Sequence, residues 1–345
     1  MTDLAARNEV MLLAGELGAA EDRLAYLISS PVEELRAFRT LVSTQLFAKQ
    51  EHRFGRVAGL TKLVPAALSA KIAEHALGPV VSGRVAGLLE PDAAVNLAKN
   101  LSPRFLAALS PSLDPQRVEA IVQRLPHRLT VEVGTLLLKA RQFLVLGRFV
   151  SVAPIEVVMG VVDVASPQEI LDVALYSEDK TSLNAVVEHA PAAVMKAVVQ
   201  TAVASDAFDD ALTILEYLRP ENRAVLVEHG AALAAEDRNA LVSRVAELGA
   251  WDEIITAFPY LTHDAIAALV NVPVVREPGV LDTVLERSYA AGDPRTVVPA
   301  VLGFDAATLE VAKTTRLVSP DYRAWLETAA SDRLDEVRRV LDTLA

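Results

Sequence analysis

The chain has 345 residues, 52% of them apolar, with a mean hydropathy of +0.31 and a formal net charge of −12. It has no cysteine, which excludes disulfides and thiolate chemistry, and a cytoplasmic address is the expectation that follows. Residues 1–150 hold 18 Lys and Arg against 14 Asp and Glu, and residues 151–345 hold 15 against 31; the acidic second half repels nucleic acid and anionic membrane, so an anion would bind the first half.

The opening MTDLAARNEVMLLAGELG is acidic early and has no basic n-region, so no signal peptide is expected. No stretch reaches the ~18 uninterrupted apolar residues of a membrane helix. The greasiest, FLVLGRFVSVAPIEVVMGVV, is cut by Arg148, Pro154 and Glu156, so no transmembrane segment is expected. The first landmark is SPVEELRAF, with Ser30 as N-cap, Pro31 in the first helical position and Glu33 completing a capping box. Next comes a basic stretch, residues 36–62, with Arg36, Arg39, Lys49, Arg53, Arg56 and Lys62 against one acid, Glu51. On a helix Lys49, Arg53 and Arg56 share a face. Arg36, Arg39, Lys49, Arg53 and Arg56 are the candidate dock for an anion or partner, such as a phosphate or lipid headgroup. The alternatives are a solvated face, or one that pairs with the chain's own acidic half.

Further along, LEPDAAVNLAKNLSPRFLAALSPSLDPQRVEAIVQRLP places Pro91, Pro103 and Pro115 at twelve-residue steps, each step one short helix. This segment, residues 88–127, resembles the superhelical N-terminal domain of MgtE-type magnesium transporters through Leu89, Pro91 and Leu97, then Leu113, Pro115 and Val118. The resemblance implies architecture only. The chain has no counterpart of that family's regulatory domain or membrane helices, so magnesium transport does not follow.

From about 165 to about 305 the helices repeat. AFDDALTILEYL (207–218) aligns with AWDEIITAFPYL (250–261) at an offset of 43, with identities Ala207/Ala250, Asp209/Asp252, Thr213/Thr256, Tyr217/Tyr260 and Leu218/Leu261. A further step of 43 takes Gly249 to Gly292, and PQEILDVALY (167–176) matches 208–217 at an offset of 41. A period of about 40–47 residues suits helix-pair repeats, and these units resemble HEAT or armadillo repeats. Glu-His pairs recur near helix ends at Glu74-His75, Glu188-His189 and Glu228-His229, and Asn271-Val272 falls in the same place one unit on. Adjacent helical residues point ~100° apart, so one pair cannot grip a metal together. A histidine in a last turn complements the helix dipole.

The expected fold is all-α: a right-handed α-solenoid or superhelix of short helix pairs with a period of about 40–43 residues. Its parts are an N-terminal helical cap (1–65), a short-helix solenoid segment (66–150), HEAT-like repeats (151–310) and C-terminal capping helices (311–345), read as one continuous superhelix. In the last part, Leu334, Val337 and Leu341 line one face and Arg338-Arg339 the other.

The sequence contains no G-x-x-x-x-G-K-S/T, G-x-G-x-x-G, H-E-x-x-H or G-x-S-x-G. His52, His127 and His263 are solitary, and Asp209-Asp210 and Glu236-Asp237 stand where first helical turns attract acids. No catalytic, cofactor or metal residue is assigned. Trp251, aligned with Phe208, is expected in the core. The expected function is a non-enzymatic scaffold that binds a protein partner, with 216–223 and 259–264 as candidate contact segments. The alternative is a carrier or sensor of an apolar molecule, such as a lipid or isoprenoid. Its motive is GRFVSVAPIEVVMGVVDVA and AAVMKAVVQTAVA, which are apolar on more than one face and so are buried all round, line a cavity or form a homodimer seam. Arg outnumbers Lys 25 to 8, which suggests a GC-rich bacterial source.

Overall fold

Wherever the sequence pairs Ser or Asp with Pro, a helix begins. The computed structural model describes residues 2–17, 19–42, 45, 64–205, 208–329 and 333–344. The Ser102 hydroxyl accepts the Phe105 N–H at 3.3 Å, and the Asp114 carboxylate accepts the Gln116 N–H at 3.1 Å. Ser166 and Glu169 close a full capping box, and Asp293 and Ser319 accept amides from the turns they start. Each following proline occupies a position whose N–H has no helical partner to lose. The helix expected after Ser30-Pro31 runs over 32–42, where the Glu33 carboxylate accepts from Arg36 at 3.2 Å. Among the described residues every element is helical and no strand occurs.

Many of these helices are short: Pro103–Leu109, Phe143–Phe149 and Ala306–Ala312 have 7 residues each. Isolated helices below about 12–15 residues are marginal in water, so these depend on their neighbours.

The chain forms two compact units, Met1–Val186 and Val187–Ala345. In the first, the helix Thr2–Leu17 packs with 32–42 around Ala6, Val10 and Leu35. The prolines spaced by twelve each open a helix: Pro91–Ala98, Pro103–Leu109 and Pro115–Val122. Two apolar cores run through these, one holding Ala98, Leu106 and Leu109, the other Val95, Val118 and Ile121. A third holds Leu137, Leu138, Phe143 and Leu146.

In the second unit each 43-residue step holds three α-helices where spacing suggested a pair. Phe208–Leu215, Pro220–Ala231 and Ala235–Leu248 are followed by Trp251–Ile255, His263–Val270 and Val280–Ala290. Gly249 and Gly292, 43 apart, both take left-handed φ of 68° and 75° after a third helix, a conformation costly for any side chain. Trp251 is buried. The C-terminal stretch is helical over Pro320–Ala329 and Leu334–Asp342, with Val337 and Leu341 buried and Arg338 and Arg339 exposed.

The period is carried by hydrogen bonds as well as helices. Glu188, Glu228 and Asn271 each receive a hydrogen bond from a residue 34 positions on, at the start of a following helix. Asn222 Nδ2 donates to Glu188 at 3.0 Å, and Arg219 pairs with the same carboxylate. Thr262 N–H donates to Glu228 at 3.2 Å, and the Thr262 hydroxyl donates to it as well. Asp305 N–H donates to the Asn271 side-chain oxygen at 2.8 Å. The same device ties Glu74 to Ser102 N–H at 2.7 Å in the first unit. A second series joins Val274 N–H to Asn239 at 3.1 Å and Arg316 N–H to Asp282 at 2.8 Å, with acceptors again 43 apart. A third pairs Arg244 with Asp209 and Arg287 with Asp252.

Replacing Glu228 by Ala is expected to cost on the order of 1 kcal/mol, the scale of a lost N-cap. Glu228→Gln keeps an acceptor oxygen and should recover most of it. Equilibrium urea unfolding measures both, and an Ala variant as stable as the parent would contradict the role given to this contact.

Candidate functional site

The apolar segment that interrupts its own hydropathy with Arg148, Pro154 and Glu156 folds into two short helices, Phe143–Phe149 and Ile155–Val162. With His127–Lys139 and Pro167–Leu175 they surround a cavity of about 180 Å³ inside the first unit. Its walls are almost wholly aliphatic: Leu109, Val133, Leu137, Leu146, Phe149, Val158, Ile170 and Val173 all face it. One wall is a close crossing of two helices. A Cβ added at Gly134 would lie 2.6 Å from Val161 Cγ2, and one at Gly160 would lie 2.7 Å from Val131 Cγ2. Such contacts are shorter than packed side chains tolerate, so the two glycines permit the approach.

Three polar residues border the cavity, Ser110, Thr130 and Glu169, and each directs its side chain to a partner elsewhere. The Ser110 hydroxyl donates to Leu106 O at 2.8 Å and the Thr130 hydroxyl to Pro126 O at 3.3 Å. Glu169 Oε2 accepts the N–H and hydroxyl of Ser166 at 2.8 and 2.7 Å. The Ser166 backbone N–H, seconded by its hydroxyl, holds the Glu169 carboxyl below the usual range, so it is ionised at neutral pH. A cavity lined in this way can desolvate hydrocarbon. It holds no nucleophile and base in contact and no grouping suited to acid–base chemistry.

The proposed basic dock is divided by the structure. Arg39 is buried, its Nε 2.8 Å from Glu9 Oε2 and a terminal nitrogen 3.3 Å from Glu178 Oε1. Arg36, partly exposed, reaches Glu9 Oε1 at 3.0 Å. Arg148 joins Glu178 at 3.1 Å. Lys180 donates to the carbonyls of Leu175 and Ser177, and burial, with Arg36 adding to it, pushes its ammonium below the usual lysine range. Arg36 and Arg39 thus face carboxylates of the chain itself. Lys49, Arg53 and Arg56 lie outside the described residues.

The Glu-His pairs separate in role. His75, His189 and His229 stand in last helical turns while each glutamate binds the start of a later helix. Burial, with Lys196 nearby, lowers the His229 pKa. Among the described residues no group of three or more His, Asp and Glu side chains is placed to hold a metal ion. No helix among them is long and apolar enough to cross a membrane. Asp209, of the Asp209-Asp210 pair, binds Arg244.

The cavity was half visible in the sequence: GRFVSVAPIEVVMGVVDVA supplies Phe149, Val158 and Val161 to its wall. AAVMKAVVQTAVA does not reach it and buries Met195 and Ala202 in the second unit. Sequence reasoning missed the Glu9–Arg39–Glu178 network, because no local spacing joins residues 9, 39 and 178.

Comparison with protein-family models, curated proteins and solved structures gives no match for this chain.

Removing one partner of a buried ion pair strands the other in a low-dielectric site. Arg39→Ala is therefore expected to lower stability by about 3 kcal/mol. Arg36→Ala, at a more exposed position, should cost about 1 kcal/mol or less. Paired urea melts check the order, and equal losses would contradict it.

Proposed function

We propose that this chain is a non-enzymatic binding protein that takes up an apolar small molecule in the cavity of its first unit. The observation that carries this is the cavity itself, built from helices whose apolar residues cover more than one face. An apolar cavity of about 150 Å³ stays dry and admits small hydrocarbons. Filling it transfers ligand from water at about 0.8 kcal/mol per buried methylene.

A protein-binding scaffold is the second reading, and a specific feature favours it. Tyr217 and Tyr260, equivalent residues 43 apart, are both about half exposed, within the two contact segments singled out in the sequence. Residues 187–345 carry 25 Asp and Glu against 14 Lys and Arg, so the partner would be basic. On this reading the second unit is a HEAT-like array, part of a superhelix, with tyrosines as its anchors.

The ligand reading is tested with N-phenyl-1-naphthylamine, a neutral dye that brightens in apolar sites. The full chain is expected to enhance its emission saturably. Ala174→Phe and Val158→Phe, which fill the space from different helices, should each reduce the enhancement about tenfold or more. Unchanged binding in both folded variants would reject the cavity as the site.

A further inference from the structure

The second unit exposes aromatic surface at a further place. Tyr289, near the end of Val280–Ala290, is about half exposed, and Trp325, in Pro320–Ala329, is partly so. Their ring centroids lie 5.0 Å apart, edge to face. Tyr322 packs against both, at 5.6 Å from Tyr289 and 5.1 Å from Trp325. Tyr322 is buried and its hydroxyl donates to Leu285 O at 3.0 Å, so the two outer rings rest on a fixed base. Carboxylates border them. Glu286 precedes Tyr289 by three residues and Asp321 precedes Trp325 by four, so each shares a helix face with its ring. Both acids are exposed. Glu286 shares the Arg316 guanidinium with Asp282, at 3.2 and 3.1 Å, so two carboxylates meet one cation. Arg287 and Arg323 stand two residues from the rings and engage elsewhere, Arg287 with Asp252 and Arg323 with the carbonyls of Leu317 and Leu341. Among the described residues no Lys or Arg covers either ring.

We infer that a basic partner places an arginine on this patch, its guanidinium over Tyr289 and Trp325 and its N–H groups toward Glu286 and Asp321. This rests on the second reading, in which the second unit binds a basic protein segment, and not on the cavity. The negative face of an aromatic ring attracts a cation, and the surplus of carboxylate over guanidinium at the border adds to the attraction. The chain makes the same kind of contact for itself at Arg141, whose guanidinium carbon lies 5.1 Å from the Phe143 ring centroid. Arginine fits better than lysine. Its planar head stacks on a ring while still donating in its own plane, and it gives up its hydration more readily than an ammonium.

The test is fluorescence anisotropy of dye-labelled hexa-arginine titrated with the full chain at low ionic strength, with hexa-lysine beside it. Hexa-arginine is expected to bind saturably, about threefold more tightly than hexa-lysine. Tyr289→Leu should weaken hexa-arginine binding about fivefold, while Tyr289→Phe, which keeps the ring, should bind like the parent. Glu286→Gln should weaken it about threefold, and Glu236→Gln, at an exposed acid on another helix, should leave it nearly unchanged. Circular dichroism checks that each variant folds, and if Tyr289→Leu does not, Glu286→Gln and Asp321→Asn carry the test. Equal losses in Glu286→Gln and Glu236→Gln, or a folded Tyr289→Leu that binds like the parent, would overturn the patch. Should Tyr260→Leu weaken binding in that case, the second unit stands as the partner surface without this site. Failure of the wild-type chain to bind hexa-arginine would reject the basic-partner reading, and the inference with it.

Discussion

The recurrent contact of this protein is a side-chain oxygen near the end of one helix that receives a donor from the start of a helix 34 residues later. Helices of 7 or 8 residues cannot satisfy their own termini, and a chain of many short helices exposes many such ends. Glu228 and Asn271 answer the need twice, at equivalent places in successive steps, by binding the N-cap amides of Thr262 and Asp305. Asn239 and Asp282 do so again for the turns at Val274 and Arg316. A carboxylate at such a place is also favoured by the partial positive charge of a helix start. The contacts are individually modest, near 1 kcal/mol each on the scale of helix caps, and gain weight by repetition.

This explains which part of the fold was legible. The 43-residue offset appears in identities such as Asp209/Asp252, because the same ion pair must form in each step. Proline after Ser or Asp marks helix starts faithfully, since the proline and its cap are local. The Glu-His pairs drew attention for their possible chemistry, but their glutamates serve the next helix. Asn271, which breaks the Glu-His pattern, keeps the one property that matters there, an acceptor oxygen. The third helix of each step was not counted because Ala235–Leu248 and Val280–Ala290 share few identities at the offset beyond their arginines and the glycine that follows.

The site was less legible. Excess aliphatic residues predict burial on all sides, but the composition of 147–165 cannot say whether neighbours fill the space or leave it open. The packing of Gly134 and Gly160 against Val161 and Val131 in one wall is a long-range fit with no mark in local spacing. Likewise Arg36 and Arg39 look free in a basic stretch, and only tertiary structure brings Glu9 to both and Glu178 to Arg39. Long-range ionic partners are the part of a fold that local sequence patterns represent least.

The two units differ in chemistry as well as in contacts. An aliphatic cavity characterises the first, and an acidic surface with repeated exposed tyrosines the second. The central claim concerns the first, and a crystal soaked in an ω-bromo alkanol tests it most directly. A bromine anomalous peak among Leu146, Phe149 and Ile170 is the expected result. Bromine found only on the outer surface, with the cavity empty, would contradict it.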